Sequence, residues 1–538
     1  MRNGHFALSA TGGASGNAVV FATTTPAVCQ VTGASVAMLS SGLCALTANQ
    51  AGDGNYQAAA QVTLEVTIAA AVPTLQWVDE LHKVYGEPSF DLPEPQSDSS
   101  GAFTYSSDNT QVATVNGRTV TVVGAGVAVL TATQAAAGNF TAGSVQMRLQ
   151  VVDRPDPTRD ADVVGGLQAQ VDASVRFAAV QQGNIRGRLR QVRNGDNASS
   201  TSLSLAYAGQ TGSPGMALPV GQAVGGRWPM LGNGWGMWMA GTVNFGKSGE
   251  GRRYDFQTDG VSFGADRALG DHALIGLAGS MATHDSDAVG SASSVNADQR
   301  SLSVYGLWGA GEHLFVDGML AYGQLDFDLV RWSEAAGRAA NARRDGDQFF
   351  GSVSFGYEHR NTRGLALTGY GRLDGSRTTL DPYQEGGLGI YDLSYREQTV
   401  QNTSLAVGME GSYEFAGLNA RYRPFWTVEY TQALENQGLA RINYSQQPVS
   451  SDYGLRLRSY YDDLFAIGAG MDVRLRAGWL FTLLVGHEQG GNSTRANSVG
   501  LSISYGASGA RPASAPASGV ADQEPACTGR QCRRQGAP

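Results

Sequence analysis

The sequence has few charges, few cysteines and no long apolar run. Charged residues are 16% of the 538 residues, and 38 Lys+Arg against 47 Asp+Glu give a formal net charge of −9. A nucleic-acid-binding protein is excluded, because there is no basic excess to neutralise phosphates. No apolar stretch approaches the ~20 residues that a membrane-spanning helix needs. The first ten residues also lack the apolar region of a secretory signal peptide.

Glycine and tyrosine, by contrast, are abundant. Glycine accounts for 72 of 538 residues and tyrosine for 20, and this glycine content is about twice the usual value. Low charge, high glycine and the lack of an apolar helix leave one class of membrane protein open, the closed β-barrel. The length predicts roughly two to four domains.

Two segments of the N-terminal part repeat with one spacing. Val28–Val36 aligns with Val112–Val120, and Leu46–Tyr56 aligns with Leu130–Phe140, both with an offset of 84 residues. Short β-branched runs in the repeat are separated by turn residues such as Asn116-Gly117, a pair that favours a tight hairpin. Several short strands at this spacing predict a β-sandwich for each repeat.

The segment from Val84 to Val115 resembles bacterial Ig-like surface repeats. The second repeat opens near Trp77, and the counterpart of Trp77 in the first repeat would precede residue 1. We therefore expect the first repeat to lack its opening strand, with Met1 as a fragment boundary or a misplaced start. A strand edge left open in this way is an aggregation hazard.

Cys29 and Cys44 align with Ala113 and Ala128 of the second repeat. The loss of both thiols together favours a Cys29–Cys44 disulfide, formed in an oxidising compartment. Two unrelated buried thiols are the alternative. Cys527 and Cys532 lie in an Ala/Pro/Ser/Arg-rich tail, where a local disulfide is favoured over a zinc site, which would need further ligands nearby.

From Gly234 onward, apolar and polar residues alternate over runs of about ten residues, as in barrel strands with an apolar outer face. The pattern predicts an even set of twelve strands, at 235–246, 257–268, 272–283, 298–310, 313–325, 347–360, 364–376, 397–415, 421–434, 462–476, 479–489 and 496–505. Short connections alternate with long ones, of which 326–346, 377–396 and 435–461 are the longest. Alternation of short turns with long loops is typical of outer-membrane barrels.

This order of segments, with a helical stretch before the barrel, resembles a classical (type V) autotransporter. The helix contains an Arg176–Arg190 stretch similar to one that precedes many such barrels. The last strand fits the family's assembly signal, with Ser498, Gly500, Ile503 and Tyr505 at the matching positions. The resemblance implies an outer-membrane barrel that supports export and surface display of the N-terminal segment, and it implies contact with the barrel-assembly machinery. Some members of the family cleave themselves at an asparagine of this helix, for which Asn184 is the candidate.

The helix predicted over 163–193 is rich in arginine. Leu167, Val171 and Val175 share one face, and the arginines form this set: Arg176, Arg186, Arg188, Arg190, Arg193. The helix either packs on a surface as an ordinary amphipathic helix or passes through the barrel lumen. In the second case we expect it to meet acids on inward positions of the strands, which are Asp266, Glu358, Glu410 and Asp472, because an arginine removes the cost of burying a carboxylate. The Gly/Ser-rich segment Asn194–Asn233 is a second candidate for the lumen.

No motif predicts catalysis. Gly241–Ser248 satisfies the phosphate-loop pattern, but it lies in a predicted barrel strand and no helix follows it. The histidines His5, His82, His272, His284, His313, His359 and His487 form no closely spaced ligand pair, and we expect them in loops and at strand ends. We therefore expect no enzymatic activity, no cofactor and no metal.

The sequence thus predicts an all-β protein with one helix, divided into the following segments: a truncated Ig-like repeat (1–70), an Ig-like repeat (71–153), a pore or linker helix (161–194), a Gly/Ser-rich linker (195–233), the autotransporter barrel (234–506) and a disordered tail (507–538). The expected partners are outer-membrane lipid, the assembly machinery and a host or cell-surface ligand for an adhesive passenger, but no nucleic acid. The alternative is a secreted or periplasmic all-β binding protein or adhesin without a membrane span.

Overall fold

A computed structural model of the chain describes residues 4–193, 200–208, 235–248, 253–270, 272–311, 313–446, 452–458, 463–475, 479–490 and 495–505. These residues form two small β-sandwiches, one long helix and a closed β-barrel, in that order. No helix within these ranges is long and apolar enough to cross a membrane. The all-β fold class with one helix and a C-terminal barrel is confirmed.

The first repeat forms two three-stranded sheets. Its strands are β1 (His5–Ala7), β2 (Val20–Thr23), β3 (Cys29–Thr32), β4 (Ser35–Met38), β5 (Gly42–Asn49) and β6 (Val62–Ile68). One sheet has the order β1-β4-β3 and the other β2-β5-β6. Residues of both sheets, Val36 and Leu46 among them, share one buried cluster with Cys29 and Cys44. Cys29 and Cys44 form a disulfide in this core.

The second repeat has two corresponding sheets, a further two-stranded sheet and more strands. They are β7 (Leu75–Gln76), β8 (Glu80–Val84), β9 (Phe90–Asp91), β10 (Gln96–Ser97), β11 (Phe103–Ser107), β12 (Ala113–Asn116), β13 (Thr119–Val122), β14 (Gly126–Gln134) and β15 (Gly143–Val152). The sheets β11-β14-β15-β8 and β12-β13-β9 enclose a common core. The predicted sandwich is present in both repeats, while their resemblance to Ig-like domains remains a prediction.

Helix α1 (Ala161–Arg193) follows the second sandwich. The Asp160 carboxylate accepts hydrogen bonds from the backbone N–H groups of Asp162 (2.8 Å) and Val163 (3.4 Å), so Asp160 is the N-cap. At 1.5 Å per residue the helix is about 50 Å long. Both its apolar and its polar side chains are buried, which already indicates that it is surrounded on all sides.

The barrel is built from the strands β16 (Ser200–Ala208), β17 (Trp235–Ser248), β18 (Tyr254–Leu269), β19 (Ala273–Ala288), β20 (Ser294–Ala310), β21 (Leu314–Ser333), β22 (Arg338–Arg360), β23 (Leu365–Leu380), β24 (Tyr383–Gln384), β25 (Leu393–Tyr395), β26 (Gln398–Tyr413), β27 (Phe415–Ala416), β28 (Ala420–Glu435), β29 (Gln437–Tyr444), β30 (Tyr453–Arg458), β31 (Leu464–Leu475), β32 (Trp479–Gly490) and β33 (Arg495–Tyr505). The long strands pair antiparallel with their neighbours. Every strand predicted from the sequence overlaps one of them.

Several features differ from the prediction. The predicted loops 377–396 and 435–461 contain strands, β24 and β25 in the first and β29 and β30 in the second. The segment 195–233 was predicted as a linker, but β16 lies within it, parallel to β17 and beside β33, so the predicted count of twelve omitted a strand of the closed sheet. The predicted loop 326–346 consists mostly of strand, since β21 and β22 continue as one hairpin and leave only 334–337 as the turn. Beyond the apolar band the alternation of polar and apolar residues continues, and the sequence there predicted a loop. In the structure these residues extend the paired strands.

The barrel has two distinct ends. At the turn mouth, short connections join β18 to β19, β20 to β21 and β22 to β23. At the loop mouth lie the β21–β22 turn, the 381–397 segment with β24 and β25, and the β29–β30 hairpin.

Candidate functional site: a helix inside the barrel

The outer face of the barrel carries a continuous apolar band. Along β21 and β22, alternate residues from Leu314 to Tyr322 and from Phe349 to Tyr357 point outward and are exposed or partly exposed. The same face of the other strands is similar, with Trp235, Met239, Val261, Phe263, Ile275, Leu277, Met281, Leu405, Val407, Met409, Ile467, Phe481 and Leu483. A protein that exposed this many large apolar side chains to water would aggregate, so the band fits a lipid environment.

The height of the band agrees with a membrane. Its nine-residue stretches on β21 and β22 span roughly 20 Å along the barrel axis at ~3.4 Å per residue and ~40° of tilt, close to the ~25 Å band of outer-membrane barrels. Towards the loop mouth the outward residues of the same strands become charged, including Asp326, Asp328 and Asp345. The wall therefore continues beyond the band on the loop side.

Helix α1 runs through the lumen from the loop mouth to the turn mouth. Near its start, the Asp162 carboxylate accepts hydrogen bonds from Ser291 (2.6 Å) and Ser293 (2.8 Å) in the β19–β20 connection. At its end, the Arg193 guanidinium lies 2.8 Å from the Asp317 carboxylate near the start of β21. Of the two arrangements that the sequence left open, the structure has the helix in the lumen and not on an outer surface.

Four arginines of the C-terminal half each contact an acid of the barrel wall. Arg188 makes a two-pronged contact with Asp266, at 2.7 and 2.8 Å, and both side chains are almost fully buried. The other three pairs are Arg186–Asp374 at 2.8 Å, Arg190–Glu410 at 2.6 Å and Arg193–Asp317 at 2.8 Å. The Arg176 guanidinium lies over the Phe256 ring at 3.7 Å. Ion pairs at these four points fix the rotation of the helix about its own axis inside the barrel.

Two of the four predicted lumen acids, Asp266 and Glu410, thus contact the helix. Glu358 instead contacts Arg360 of its own strand, and Asp472 accepts from Arg423 of β28 at 2.9 Å and from Thr482 at 2.6 Å. The prediction that Glu358 and Asp472 contact the helix was wrong, because each carboxylate already contacts an arginine of the barrel wall.

The acids that the sequence analysis missed are Asp317 and Asp374. Both alternate inward on their strands, between outward Val316 and Gly318 in one case and beside outward Leu373 in the other. The alternation that identified Asp266 could therefore have found them as well. Which arginine each acid meets depends on the rotation of the helix, for which the sequence holds no signal.

Polar side chains also connect the middle of the helix to the wall. The Asn184 amide donates to Ser262 (3.1 Å), and its oxygen accepts from Thr242 (2.8 Å). Gln181 contacts Gln299, which donates to Gln348 at 2.6 Å, and Gln348 donates to the Ser174 carbonyl at 2.7 Å. Asn184 was the predicted cleavage candidate; both ends of its amide are engaged by hydroxyl groups.

An apolar seal closes the loop mouth around the first half of the helix. Val163, Leu167 and Val171 pack in one buried cluster with side chains of the wall and the long connections, among them Leu325, Phe327, Leu393, Tyr395, Ile442 and Leu457. At the level of this cluster, Arg344 donates to Gln170 at 2.8 Å. Above it, Arg331 forms a two-pronged contact with Glu385 at 2.8 and 2.6 Å. The long connections therefore belong to the closure of the lumen.

The second sandwich is joined to this end of the barrel by Arg154, just before the helix. Its guanidinium donates to the Ile390 carbonyl at 3.0 Å and lies over the rings of Tyr444 (4.2 Å) and Tyr85 (5.5 Å). The Tyr444 hydroxyl donates to the Pro155 carbonyl at 2.6 Å. Burial lowers the pKa of Arg154, and the aromatic groups around it act in the opposite direction. The N-terminal sandwiches thus lie at the loop mouth.

The remaining predicted positions are placed as follows. Residues 241–248 lie in β17, paired with β18 from Gly241–Val261 to Ser248–Tyr254, an extended arrangement with no loop to hold a phosphate. Ser498, Gly500, Ile503 and Tyr505 lie in β33, paired with β32. Cys527 and Cys532 lie outside the described residues.

The histidines do not all match the prediction. His284 was expected at a strand end, but it is buried in the lumen, where its Nδ1 is 2.6 Å from the Thr258 hydroxyl and its ring packs on Phe177 and Phe256. His284 is at an inward position in the alternation along β19, and this position could have predicted its burial. In the part of the chain that the structure describes, no three His, Cys, Asp or Glu side chains form a group that could hold a metal ion.

Comparison with known proteins gives one family. The family model described as "Autotransporter beta-domain" matches residues 234–508, just over half of the chain. Comparison with curated proteins gives no match.

Similar solved structures include three translocator domains. They are those of autotransporter NalP from Neisseria meningitidis (18% identity, 52% of this chain and 90% of that chain, TM-score 0.38), of AIDA-I from Escherichia coli (15%, 52% and 93%, 0.37) and of the Bordetella autotransporter BrkA (14%, 51% and 99%, 0.36). The low TM-scores add nothing to the assignment, which depends on the family match. The chain belongs to the autotransporter family of type V secretion, and residues 234–508 are its outer-membrane β-barrel domain.

Proposed function

We propose that this autotransporter barrel supports the export of the two N-terminal sandwiches and holds them at the bacterial surface. The observation that carries the proposal is the path of the helix, which enters at the loop mouth beside the second sandwich and ends at the turn mouth beside Asp317. A chain that follows this path has its N-terminal part on the loop side and its barrel anchored in lipid.

The direction of the path is supported by the asymmetry of the barrel. Short turns face the periplasm and longer loops face outward in outer-membrane barrels. In this protein the charged extension of the wall and the long connections are both on the side of the sandwiches. That orientation supports the proposed surface display of residues 4–153.

We further propose that the sandwiches bind a surface ligand or act as a spacer, and that they are not enzymatic. Residues 1–153 contain two histidines, His5 and His82, and both are exposed rather than placed in a cleft. Sandwiches of this kind suit an adhesive role better than a catalytic one, because catalysis needs chemical groups held around a pocket. Assembly by the outer-membrane barrel-assembly machinery, with β33 carrying the signal, belongs to the same proposal.

Protease treatment of intact cells tests this function. An epitope before Gly4 should be removed by external proteinase K, while a periplasmic marker protein survives and the barrel stays in the membrane fraction. The barrel itself should migrate differently on a gel before and after boiling. Protection of residues 4–153 in intact cells, or extraction of the protein by salt alone with no gel shift, would favour a periplasmic or secreted binding protein instead.

A further inference from the structure

A groove crosses the lipid-facing side of the barrel on β20 to β23. It has a volume of about 960 Å³ and lies within the apolar band. Four outward glycines form its floor, and they are paired across the strands, Gly306 with Gly318 and Gly351 with Gly375. Large apolar side chains on neighbouring outward positions flank it: Trp308, Leu320, Phe349, Val353, Leu373. We call this feature the glycine groove.

The barrel itself does not require glycine at position 375. The backbone of Gly375 does not have a positive φ, and a Cβ there would meet no heavy atom of the described residues within 4 Å. Glycine inside a strand weakens the strand, and it often marks a place where a ligand approaches the backbone closely. The open floor of the glycine groove thus leaves room for a molecule outside the chain.

The end of the groove nearest the loop mouth carries the exposed Arg377. This residue points outward on β23, two residues beyond Gly375, where the apolar band ends. Its guanidinium forms no ion pair within the part of the chain that the structure describes. Arg343, an outward arginine of β22, instead pairs with Asp328 at 2.8 Å. Arg377 therefore places an uncompensated positive charge at the level of the lipid headgroups.

The acids around the groove are engaged elsewhere or lie at a distance from Arg377. Asp317 and Asp374 are among the lining residues, but their carboxylates point inward and contact arginines of the helix. Asp347, outward on β22, accepts a hydrogen bond from a tyrosine hydroxyl at 2.5 Å. Glu435 lies on β28, two strands away from β23, at the far edge of the groove. An anion in the groove would therefore bind at Arg377.

We propose that the glycine groove binds one phosphate-bearing membrane lipid, with an acyl chain over Gly351 and Gly375 and the phosphate on Arg377. The apolar walls suit an acyl chain, whose transfer from water is favourable for each buried CH₂ group. Arginine matches the phosphate group, because its planar guanidinium can donate two parallel hydrogen bonds to phosphate oxygens. The inference depends on the membrane location of the barrel and not on the direction of export.

Native mass spectrometry of the full-length protein in neutral detergent micelles tests the proposal. Dioleoyl phosphatidylglycerol should bind saturably as one copy. Dioleoylglycerol, which has the same chains without the phosphate, should bind at least about tenfold more weakly, because it lacks the charge-assisted contact with Arg377. Glycerol 3-phosphate, which has the phosphate without the chains, should not displace the lipid. Displacement by this compound would assign the site to a free phosphate and would overturn a lipid as its occupant.

An arginine variant tests the headgroup contact. Arg377→Gln should weaken the binding of phosphatidylglycerol to about the level of dioleoylglycerol, because only the phosphate contact is lost. Arg343→Gln is the matched control, since Arg343 is also an outward, exposed arginine near the loop mouth but already has a carboxylate partner. This control should bind phosphatidylglycerol like the parent protein. Equal binding by Arg377→Gln and the parent would overturn the proposal.

A glycine variant tests the position of the acyl chain. Gly375→Leu fills the groove and should abolish the saturable copy of both lipids. Gly371→Leu is its control, because Gly371 lies outward on the same strand, also has open space around it and does not line the groove. Both variants should keep the gel shift of the folded barrel, and Gly375→Val replaces Gly375→Leu if the latter loses it. Unsaturable binding of many copies, or one copy that the substitution at Gly375 leaves intact, would overturn the proposal.

Discussion

Arg188 and Asp266 form the most enclosed of the four ion pairs between helix and wall, with side-chain exposures of 1% and 3%. The Tyr305 hydroxyl also donates to Asp266 at 2.9 Å, and Trp238 donates to Tyr305 at 2.5 Å. The carboxylate is therefore held by a small network. Removing one partner of a buried pair is costly, because the other charge remains buried without compensation.

We predict that Arg188→Ala destabilises the folded barrel by about 3–5 kcal/mol. The measurement is the fraction of the compact, unboiled gel form as a function of urea concentration. Arg190→Ala is the matched control, since Arg190 and Glu410 are 30% and 18% exposed and solvent can screen the remaining carboxylate. Its loss of stability should be clearly smaller, and equal losses for the two variants would contradict the prediction.

At the scale of the helix, two adjacent glycines are in opposite environments. A Cβ on Gly165 would lie 2.4 Å from ring atoms of Tyr254 on β18, whereas a Cβ on Gly166 would meet nothing within 4 Å. Close approach of the helix to the wall therefore requires glycine at 165 but not at 166. Both residues are in the first turns of α1, so their intrinsic helix propensities are comparable.

We predict opposite signs for the two alanine substitutions. Gly166→Ala should stabilise the folded state by about 0.5–1 kcal/mol, because alanine loses less backbone entropy in a helix. Gly165→Ala should destabilise it by about 1–3 kcal/mol, because the rigid Tyr254 ring must move. Urea midpoints of the two variants decide the matter, and a stabilising Gly165→Ala would mean that the helix does not approach β18 so closely.

The arginines and the apolar seal close different parts of the lumen. We predict that the barrel in which Arg186, Arg188, Arg190 and Arg193 are all replaced by Gln is less stable but still folds, since the outward apolar band is untouched, and that its ion conductance in planar bilayers is higher. Deletion of 161–193 should raise the conductance further, because the seal around Leu167 is lost as well.

The control for this prediction is Arg159→Gln, since Arg159 precedes the helix and its side chain is 88% exposed. This variant should conduct like the parent protein. If the quadruple variant and the deletion also conduct like the parent, the helix does not close the lumen.

At the scale of the whole molecule, Arg154 links the second sandwich to the long connections of the barrel. It is buried between Tyr85 of the second sandwich and the Tyr444 and Ile390 positions of the long connections. The helix that follows is held in the lumen over its whole length, so a fixed contact at Arg154 orients everything before it. The sandwiches should then project from the barrel in one direction.

We predict that Arg154→Ala frees this orientation without unfolding either part. Spin labels at the exposed positions Thr104 and Gln437, with Cys527 and Cys532 replaced by Ser, should give a narrow distance distribution in the parent protein. The distribution should broaden in Arg154→Ala and stay narrow in the exposed control Arg159→Ala. An equally narrow distribution in Arg154→Ala would show that other contacts fix the sandwiches.

The sequence by itself determined the features that repeat locally. Alternation along each strand identified the barrel, the spacing of 84 residues identified the two sandwiches, and the arginine-rich segment identified a helix suited to a polar lumen. These signals are readable because a strand or a helix repeats its pattern over a few residues, whatever its distant neighbours are. The sequence did not predict that the β21–β22 hairpin continues beyond the apolar band. There the outward positions become polar, and a polar strand outside the membrane has the composition of a loop.

Only the tertiary structure decided which groups meet. The rotation of α1 in the lumen pairs Arg193 with Asp317 and Arg186 with Asp374, and it leaves Glu358 and Asp472 to arginines of the wall. The insertion of β16 beside β17 and the apolar seal at the loop mouth depend in the same way on contacts between segments far apart in the chain. Such contacts are selected by the combined packing of many surfaces, and no short stretch of sequence contains that information.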